Sequence, residues 1–241
     1  MDEHPAAVQL PVLIARQPDG VTCGPTCLQA LYAFYGQQVH LDELIPGIRQ
    51  VVTGGTLAVH LATHALGRNY RATMYNWNLQ VFDPSWFSRG VDIAAKLREQ
   101  VRWKGDQHAL VEATRGYLDF LEAGGELRDE ECSGDLIRHH LAQGHPLVAG
   151  LSATWLYRAM RQYGPEGIDD DIRGRPEGHF VIIDGWDPAS ASFHISDPYI
   201  DHPMADGQRY RVSEPRLLAA ILLGITTYDA NLLLIRPKEA A

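Results

Sequence analysis

The sequence predicts an α+β fold in which helices come first and strands come later. Apolar residues in the first half recur at helical spacing, whereas the second half contains short β-branched and aromatic runs bounded by turn residues. The segment Asp187-Pro-Ala-Ser separates two of these runs so briefly that the flanking strands are expected to be antiparallel neighbours. Together these patterns predict helices packed against an antiparallel sheet.

Capping residues and glycines delimit the predicted helices of the first half. Gly36 and Gly67 each follow a stretch of helical spacing, and glycine is a common residue just after a helix. Thr56 and Ser133 precede two such stretches and are predicted N-caps. The predicted helices cover residues 24–35, 57–66, 91–103, 107–122 and 134–143, the third and fourth forming a hairpin. A strand at 70–75 and an aromatic-rich loop at 76–88 lie between them.

The second half is predicted to supply most of the sheet. Two helices, at 154–163 and 214–223, interrupt a series of strands. Those strands are predicted at residues 146–151, 179–184, 192–196, 208–212 and 231–235. Because the chain shows no repeat and no long Pro/Gly/Ser linker, residues 1–241 are expected to form a single domain.

Composition excludes several classes of function. The 241 residues include 21 basic and 30 acidic side chains, and the net charge of −9 argues against nucleic acid or an anionic membrane as a partner. Three cysteines do not make a disulfide framework. No signal peptide is recognisable, and the longest apolar run, 217–225, is too short to cross a bilayer. A cytoplasmic protein without cofactor or metal is expected; its oligomeric state is left open.

The stretch Gln17-Pro-Asp-Gly-Val-Thr-Cys23-Gly-Pro-Thr-Cys27-Leu carries the strongest chemical signal. An apolar run at 11–15, predicted to be a strand, leads through a turn to a helix that begins right after Cys23, with Pro25 at its first position. The unpaired N–H groups and positive dipole of a helix start favour a thiolate over a thiol. Gln17 ends the strand, and its side-chain amide can serve as an oxyanion donor beside the sulfur. Cys27, one turn further on, is expected to be a core residue.

A nucleophilic cysteine needs a base, and the base needs a group that fixes its tautomer. His179 begins the strand His-Phe-Val-Ile-Ile-Asp, where the ring is held rigidly beside a cleft. The next strand ends at Asp197, so antiparallel pairing places Asp197 next to His179. Asp184 lies five residues along the same strand, roughly 16 Å away at strand rise, and is the poorer candidate. Asp187 precedes a proline and is interpreted as a turn residue.

These residues resemble a known family. Gln-x5-Cys-Gly-x-x-Cys-Leu near the N-terminus, then Gly-His-Phe-Val-Ile-Ile-Asp-Gly-Trp-Asp and Ile-Ser-Asp-Pro, are similar to the papain-like peptidases that process bacteriocin precursors at double-glycine sites. The resemblance covers the first 36 residues and about 178–198. It implies a bacterial, papain-like cysteine peptidase fold, with the helix of the nucleophile packed on the C-terminal antiparallel sheet.

The resemblance also implies roles for individual residues. Cys23 would be the nucleophile, His179 the base, Asp197 the orienting acid and Gln17 the oxyanion donor. The expected activity is cleavage of a peptide or isopeptide bond through a thioester, and the expected partner is a peptide or peptide-like small substrate. Members that cleave leader peptides are usually fused to a membrane transporter, and this chain carries no transporter segments.

Three alternative functions remain open at this stage. The same scaffold can transfer the acyl group to an amine instead of water, or bind a peptide without cutting it. His60 and His64, four residues apart on a predicted helix, suggest a metal-dependent hydrolase, although Leu61 stands where the zinc motif needs Glu. The charged segment 164–178, which runs directly into His179, is either a solvated loop or a lid over the substrate.

Overall fold

The structure, a computed structural model, describes residues 6–52 and 54–238. The α-helices in this part of the chain are α1 (Cys23–Phe34), α2 (Leu41–Leu44), α3 (Ala58–Gly67), α4 (Pro84–Ser88), α5 (Ile93–Trp103), α6 (His108–Glu122), α7 (Gly134–Ala142), α8 (Ala153–Tyr157) and α9 (Glu214–Leu223). The strands are β1 (Val8–Gln9), β2 (Tyr70–Asn76), β3 (Glu126–Arg128), β4 (Leu147–Ser152), β5 (Gln162–Tyr163), β6 (Ile168–Asp169), β7 (Gly178–Asp187), β8 (Ser192–Ser196), β9 (Arg209–Ser213) and β10 (Asn231–Pro237).

One large sheet organises the described residues, in the order β3-β2-β10-β4-β7-β8-β9, with β1 paired to β7. The pairs are antiparallel except for β2 and β3, which run parallel. β5 and β6 form a separate small hairpin. The predicted α+β fold with an antiparallel sheet is confirmed, and α1 packs on β7 as expected.

Helices cover both faces of this sheet, because side chains on each strand alternate between two hydrophobic clusters. In β7, Phe180 and Ile182 pack with α1, α3 and α6, whereas Val181 and Ile183 pack with α7, α8 and α9. In β4, Val148 belongs to the first cluster and its neighbours belong to the second. The central strands are therefore buried on both sides and hold their ends in fixed positions.

Antiparallel order brings four chain segments together at one end of the sheet. β4, β7, β8 and β9 are consecutive neighbours of alternating direction. The end of β4, the start of β7, the end of β8 and the start of β9 therefore lie side by side. Leu151 near the end of β4, for example, is paired with His179 at the start of β7.

Several predicted elements differ from the structure for local reasons. The strand predicted at 11–15 is absent from the described residues, which have the short β1 instead, since Pro11 has no N–H for a ladder. The helix predicted at 154–163 ends at Tyr157 because Arg158 is left-handed, with φ 57°. The predicted 76–88 loop contains α4, which Asp83 caps through the N–H of Ser85.

Of the two residues predicted to cap helices, one does so in the structure. Ser133 caps α7 as predicted, accepting a hydrogen bond at 3.3 Å from the N–H of Leu136. Thr56, in contrast, does not cap α3: Leu57 occupies the cap position, and the Thr56 hydroxyl donates to the carbonyl of Arg49 at 2.8 Å. A side-chain cap is therefore replaced by a link between two loops.

Candidate active site

Cys23 is the first residue of α1 and is half-buried. The loop before it is closed by Asp19, whose carboxylate accepts hydrogen bonds from the N–H of Val21 and the hydroxyl of Thr22, both at 2.9 Å. The predicted position of Pro25 was wrong, since it is the third helical residue and not the first. The structure accommodates it there because no N–H in the first helical turn has a partner within the helix.

Gly24 lets α1 approach the sheet closely next to Cys23. A methyl group at this glycine would lie 2.7 Å from Cγ2 of Thr56 and 3.2 Å from the rings or methyls of Leu61 and Phe180. Phe180 directly follows His179 in β7. The packing of Gly24 on β7 therefore brings the start of α1 to the start of β7.

His179 and Asp197 form the contact that the sequence predicts. Nε2 of His179 lies 2.8 Å from Oδ1 of Asp197, and both side chains are buried, with Asp197 fully inaccessible to solvent. The contact follows from the register of β7 and β8, which ends with Ile182 opposite Ser196 and leaves Asp197 beside the start of β7. With Nε2 bonded to the acid, Nδ1 of the ring is left for Cys23.

The electrostatics link these three side chains. Burial alone would lower the pKa of His179, but the charge of Asp197, then that of Cys23, and hydrogen bonding to both raise it to about 10. Burial alone would raise the pKa of Asp197, yet the charge of His179 and its hydrogen bonds lower that pKa below the usual value. The site therefore favours an imidazolium beside the Asp197 carboxylate.

Two tyrosines that the sequence analysis missed also contact the acid. The hydroxyls of Tyr157, in α8, and Tyr210, in β9, each lie 2.6 Å from Oδ2 of Asp197. The N–H of Tyr199 donates to Oδ1 at 2.9 Å. Tyr210 had a sequence signal, because it is an inward-facing residue at the start of the strand after Asp197. Tyr157 had none, since its helix reaches the site only through tertiary packing.

Gln17 lies near the site but is engaged locally. Its side chain is buried, and Nε2 donates to the carbonyl of Asp19 at 2.7 Å. An amide nitrogen carries two hydrogens, so this bond leaves one of them free to donate. Its backbone N–H donates to the carbonyl of Pro198, which ties the Gln17 segment to the segment after Asp197.

The other candidate acids are engaged elsewhere. Asp184 accepts a hydrogen bond from the Ser196 hydroxyl at 2.7 Å, and burial raises its pKa to about 6. Asp187 accepts the N–H of Ala189 at 3.0 Å, as expected of a turn residue. The sequence-based preference for Asp197 as the partner of His179 agrees with both placements.

Cys27 is the core residue that the helical spacing predicts. It is fully buried, its S–H donates to the carbonyl of Phe180 at 3.3 Å, and burial is the main cause that raises its pKa well above the usual range. It is therefore a neutral thiol that packs α1 onto β7.

His60 and His64 lie on α3, and each has a hydrogen-bonding neighbour. Nδ1 of His60 is 3.4 Å from the Thr56 hydroxyl, and Nδ1 of His64 is 2.9 Å from the Tyr32 hydroxyl. Both histidines line a cavity of about 430 Å³ together with arginine side chains, including Arg49. Across residues 6–52 and 54–238, the structure contains no cluster of three or more metal-ligating side chains.

A larger cavity, of about 640 Å³, lies between the 49–57 segment, α6 and the residues Thr227 and Tyr228. Val51, Leu57 and Thr227 are among the residues of its wall. Thr227 packs against Gly178, where a methyl group would come within 2.5 Å of its hydroxyl. Gly178 immediately precedes His179, so Thr227 in the cavity wall contacts the start of β7.

Comparison with known proteins shows the family. A family model described as the Peptidase_C39 like family matches residues 9–214, which is most of the sequence. The chain belongs to this family. A search of the curated proteins finds no match to this C39-like sequence.

Solved structures resemble the C39-like chain at low sequence identity. A C39-like peptidase from Bacillus anthracis has 13% identity and a TM-score of 0.52, covering 98% of this chain and 100% of that one. Xylellain, a cysteine protease from Xylella fastidiosa, has 14% identity and a TM-score of 0.47, covering 98% and 87%. The peptidase domain of Streptococcus ComA has 11% identity and a TM-score of 0.46, covering 94% and 99%.

The family and the first of these structures place the chain among papain-like cysteine peptidase folds, and the family supports a peptidase-like hydrolase. No helix within the described ranges has the length and apolar character needed to cross a bilayer. The 164–178 segment contains β6, which pairs with β5 just before it in the chain, and ends at Gly178, next to His179.

Proposed function

We propose that this C39-like chain is a cysteine peptidase in which Cys23 is the nucleophile, His179 the acid and base, and Asp197 the group that orients the imidazole. One observation carries the proposal: the imidazole of His179 interacts with the sulfur at the start of α1 and, through Nε2, with a buried carboxylate. A structural histidine needs neither a buried carboxylate on one side nor a half-buried thiol on the other.

In the proposed reaction, the Cys23 thiolate attacks the carbonyl carbon of a peptide bond and forms a C–S bond. The carbonyl electrons move to oxygen, giving a tetrahedral oxyanion. As the C–N bond breaks, protonated His179 delivers its Nδ1 proton to the leaving amine, and a thioester remains. Neutral His179 then takes a proton from water, which attacks the thioester. The acid product leaves, and the thiolate and imidazolium are restored.

The oxyanion needs hydrogen-bond donors, and two are proposed here. The backbone N–H of Cys23 is one of the unpaired donors of the first turn of α1. Gln17 is the second, through the amide hydrogen that the carbonyl of Asp19 does not use. Loss of one such donor typically lowers turnover about 10²–10³-fold.

The substrate class proposed is a peptide or peptide-like molecule with an accessible amide bond. The cavity of about 640 Å³, whose wall includes the Gly178 neighbour Thr227, is large enough for several side-chain groups and combines the apolar Val51 and Leu57 with the charged Glu112 and Arg115. A single domain over residues 1–241 is part of the same proposal, because the central sheet takes strands from Val8–Gln9 to Asn231–Pro237. A bacterial origin and a cytoplasmic location remain predictions.

Thiol labelling tests the nucleophile independently of the substrate. Iodoacetamide should alkylate Cys23 much faster than Cys132, which is also half-buried, and mass spectrometry of tryptic peptides separates the two. His179→Ala should slow alkylation of Cys23 and leave that of Cys132 unchanged. Equal rates at the two cysteines, or no effect of His179→Ala, would remove the basis for a cysteine enzyme.

A peptide library tests the reaction itself. The wild-type chain should generate new peptide termini that mass spectrometry detects, and Cys23→Ala should generate none. Cys132→Ala is the matched control and should retain cleavage. If an added amine accumulates as a ligated product in place of free acid, the chain is an acyl transferase; if peptides bind but remain intact, it is a binding domain.

A further inference from the structure

The acid of the site is held by an unusual set of donors. Asp197 is fully buried, yet its two oxygens accept four hydrogen bonds: from His179 and the Tyr199 N–H on Oδ1, and from the hydroxyls of Tyr157 and Tyr210 on Oδ2. A carboxylate with no water contact is costly unless protein donors replace its hydration. The two phenols are the donors of Oδ2 among the described residues.

Both phenols are fixed in place and remain donors. Tyr157 ends α8, whose first turn is capped by Ser152, and Tyr210 is an inward-facing residue of β9, opposite Ile195 of β8. Burial, followed by the charge of Asp197, raises the pKa of both phenols, so they stay protonated wherever the protein is folded. Each phenol therefore keeps its proton and acts only as a hydrogen-bond donor to Asp197.

The ring of His202 completes the packing. It stacks on Tyr157 with ring centroids 5.6 Å apart and meets Tyr210 edge-on at 4.6 Å. The imidazole is itself buried, and its Nδ1 accepts the N–H of Met204 at 3.2 Å. This contact limits the rotation of both phenols about Asp197.

Resting on the proposed function, we propose that Tyr157 and Tyr210 are positioning residues that hold the buried Asp197 carboxylate ionised and oriented toward His179. They act through Asp197 and do not touch the reacting atoms. With Oδ2 fixed by two donors, Oδ1 is presented to Nε2 of His179, which leaves Nδ1 directed to Cys23. The charge retained on Asp197 then stabilises the imidazolium that protonates the leaving amine.

Removal of both hydroxyls leaves Oδ2 buried without a donor. Burial then raises the pKa of Asp197, since the hydrogen bonds that lower it are lost. At a pH below that pKa, Asp197 of the variant is neutral and no longer stabilises the imidazolium of His179. At a pH above it, Asp197 is ionised as in the wild type. The titratable groups that face Asp197 or the two phenols are Cys23, Cys27, Tyr157, His179, Tyr199, His202, Tyr210 and Arg216.

The test is the pH profile of iodoacetamide alkylation of Cys23, followed by mass spectrometry from pH 4 to 9. Tyr157→Phe/Tyr210→Phe should match the wild type near pH 8 and fall toward the Asp197→Asn rate at about pH 5, a loss of about tenfold for each unit by which the acid limb moves. Tyr117→Phe is the matched control: its buried hydroxyl bonds Asn76 instead, so its profile should keep the wild-type shape.

Other outcomes overturn the proposal in distinguishable ways. A double variant with the wild-type pH profile means that the phenols do not keep Asp197 ionised. A fall in the alkylation rate that is equal at every pH means that they only stabilise the fold. If Asp197→Asn itself alkylates as the wild type does, the role of Asp197 in the proposed function fails, and the role of the tyrosines fails with it. Should the double variant not fold, each single variant is read against the same criteria, with a smaller displacement of the acid limb expected.

Discussion

The free energy of unfolding should fall as pH rises from 6.5 to about 10, because folded His179 keeps a proton that the unfolded chain releases. Its pKa is about 10 in the folded protein against 6.5 for an ordinary histidine. The stabilisation is therefore complete below pH 6.5 and is lost as pH rises through the folded value. At about 1.4 kcal/mol per pH unit, the upper limit of this loss is about 5 kcal/mol.

The contribution of Asp197 to this effect can be isolated by comparison with Asp197→Asn. Burial raises the pKa of Cys27 and of several tyrosines, so these groups ionise first in the unfolded chain and destabilise both proteins at high pH. Urea denaturation at pH 6, 7, 8, 9 and 10 gives the unfolding free energy of each protein. The advantage of the wild type over Asp197→Asn should be largest at pH 6 and should shrink steadily by pH 10.

Two curves that run parallel from pH 6 to 10 would refute this reasoning. They would mean that Asp197 does not cause the folded wild type to hold an extra proton. The contact between Nε2 and Oδ1 would then join a neutral His179 ring to the carboxylate. The resting enzyme would then hold a thiol and a neutral imidazole, and the imidazolium would form only during catalysis.

Three further predictions concern packing, burial and capping. Gly24→Ala should cost about 1–3 kcal/mol of stability and slow alkylation of Cys23, since the added methyl meets Thr56 at 2.7 Å; unchanged stability would mean that the loop yields freely. Burial raises the pKa of Asp229 to about 7. Asp229→Asn should therefore be about 2–4 kcal/mol more stable than the wild type at pH 8 and equally stable at pH 4. A gain in stability that is the same at pH 8 and pH 4 would contradict this. Ser133→Ala should cost about 1 kcal/mol through loss of the α7 cap, measured by urea denaturation against Ser133→Thr, which should cost less.

Much of the fold follows from local pattern, and the exceptions arise from long-range pairing. β8 and α9 have the predicted bounds, because turn residues and a Ser-Glu-Pro start delimit them. The place of β2 between β3 and β10 could not be predicted, since its partner in β10 lies more than 150 residues away in sequence. Local periodicity predicts a strand but contains no information about its neighbour.

The candidate site was predictable to the extent that strand order predicts contacts. His179 and Asp197 lie at the start of one strand and the end of the next, so antiparallel pairing sufficed to place them together. The end of α8 after Tyr157 was missed because Arg158 adopts a left-handed conformation that its sequence does not favour. That early end is what places the Tyr157 hydroxyl beside the acid.

The register of the strands allows this site to keep a charged acid at a position with no access to water. Side chains on a strand alternate in direction, so a slip of one residue between β8 and β9 would turn Tyr210 toward solvent and leave Oδ2 of Asp197 with one donor. The buried Val212, which pairs with Phe193 of β8, opposes that slip because the same rotation of β9 would expose it to solvent. The apolar core beneath the sheet thus maintains the hydrogen bonds of the carboxylate, and through them the orientation of His179 toward Cys23.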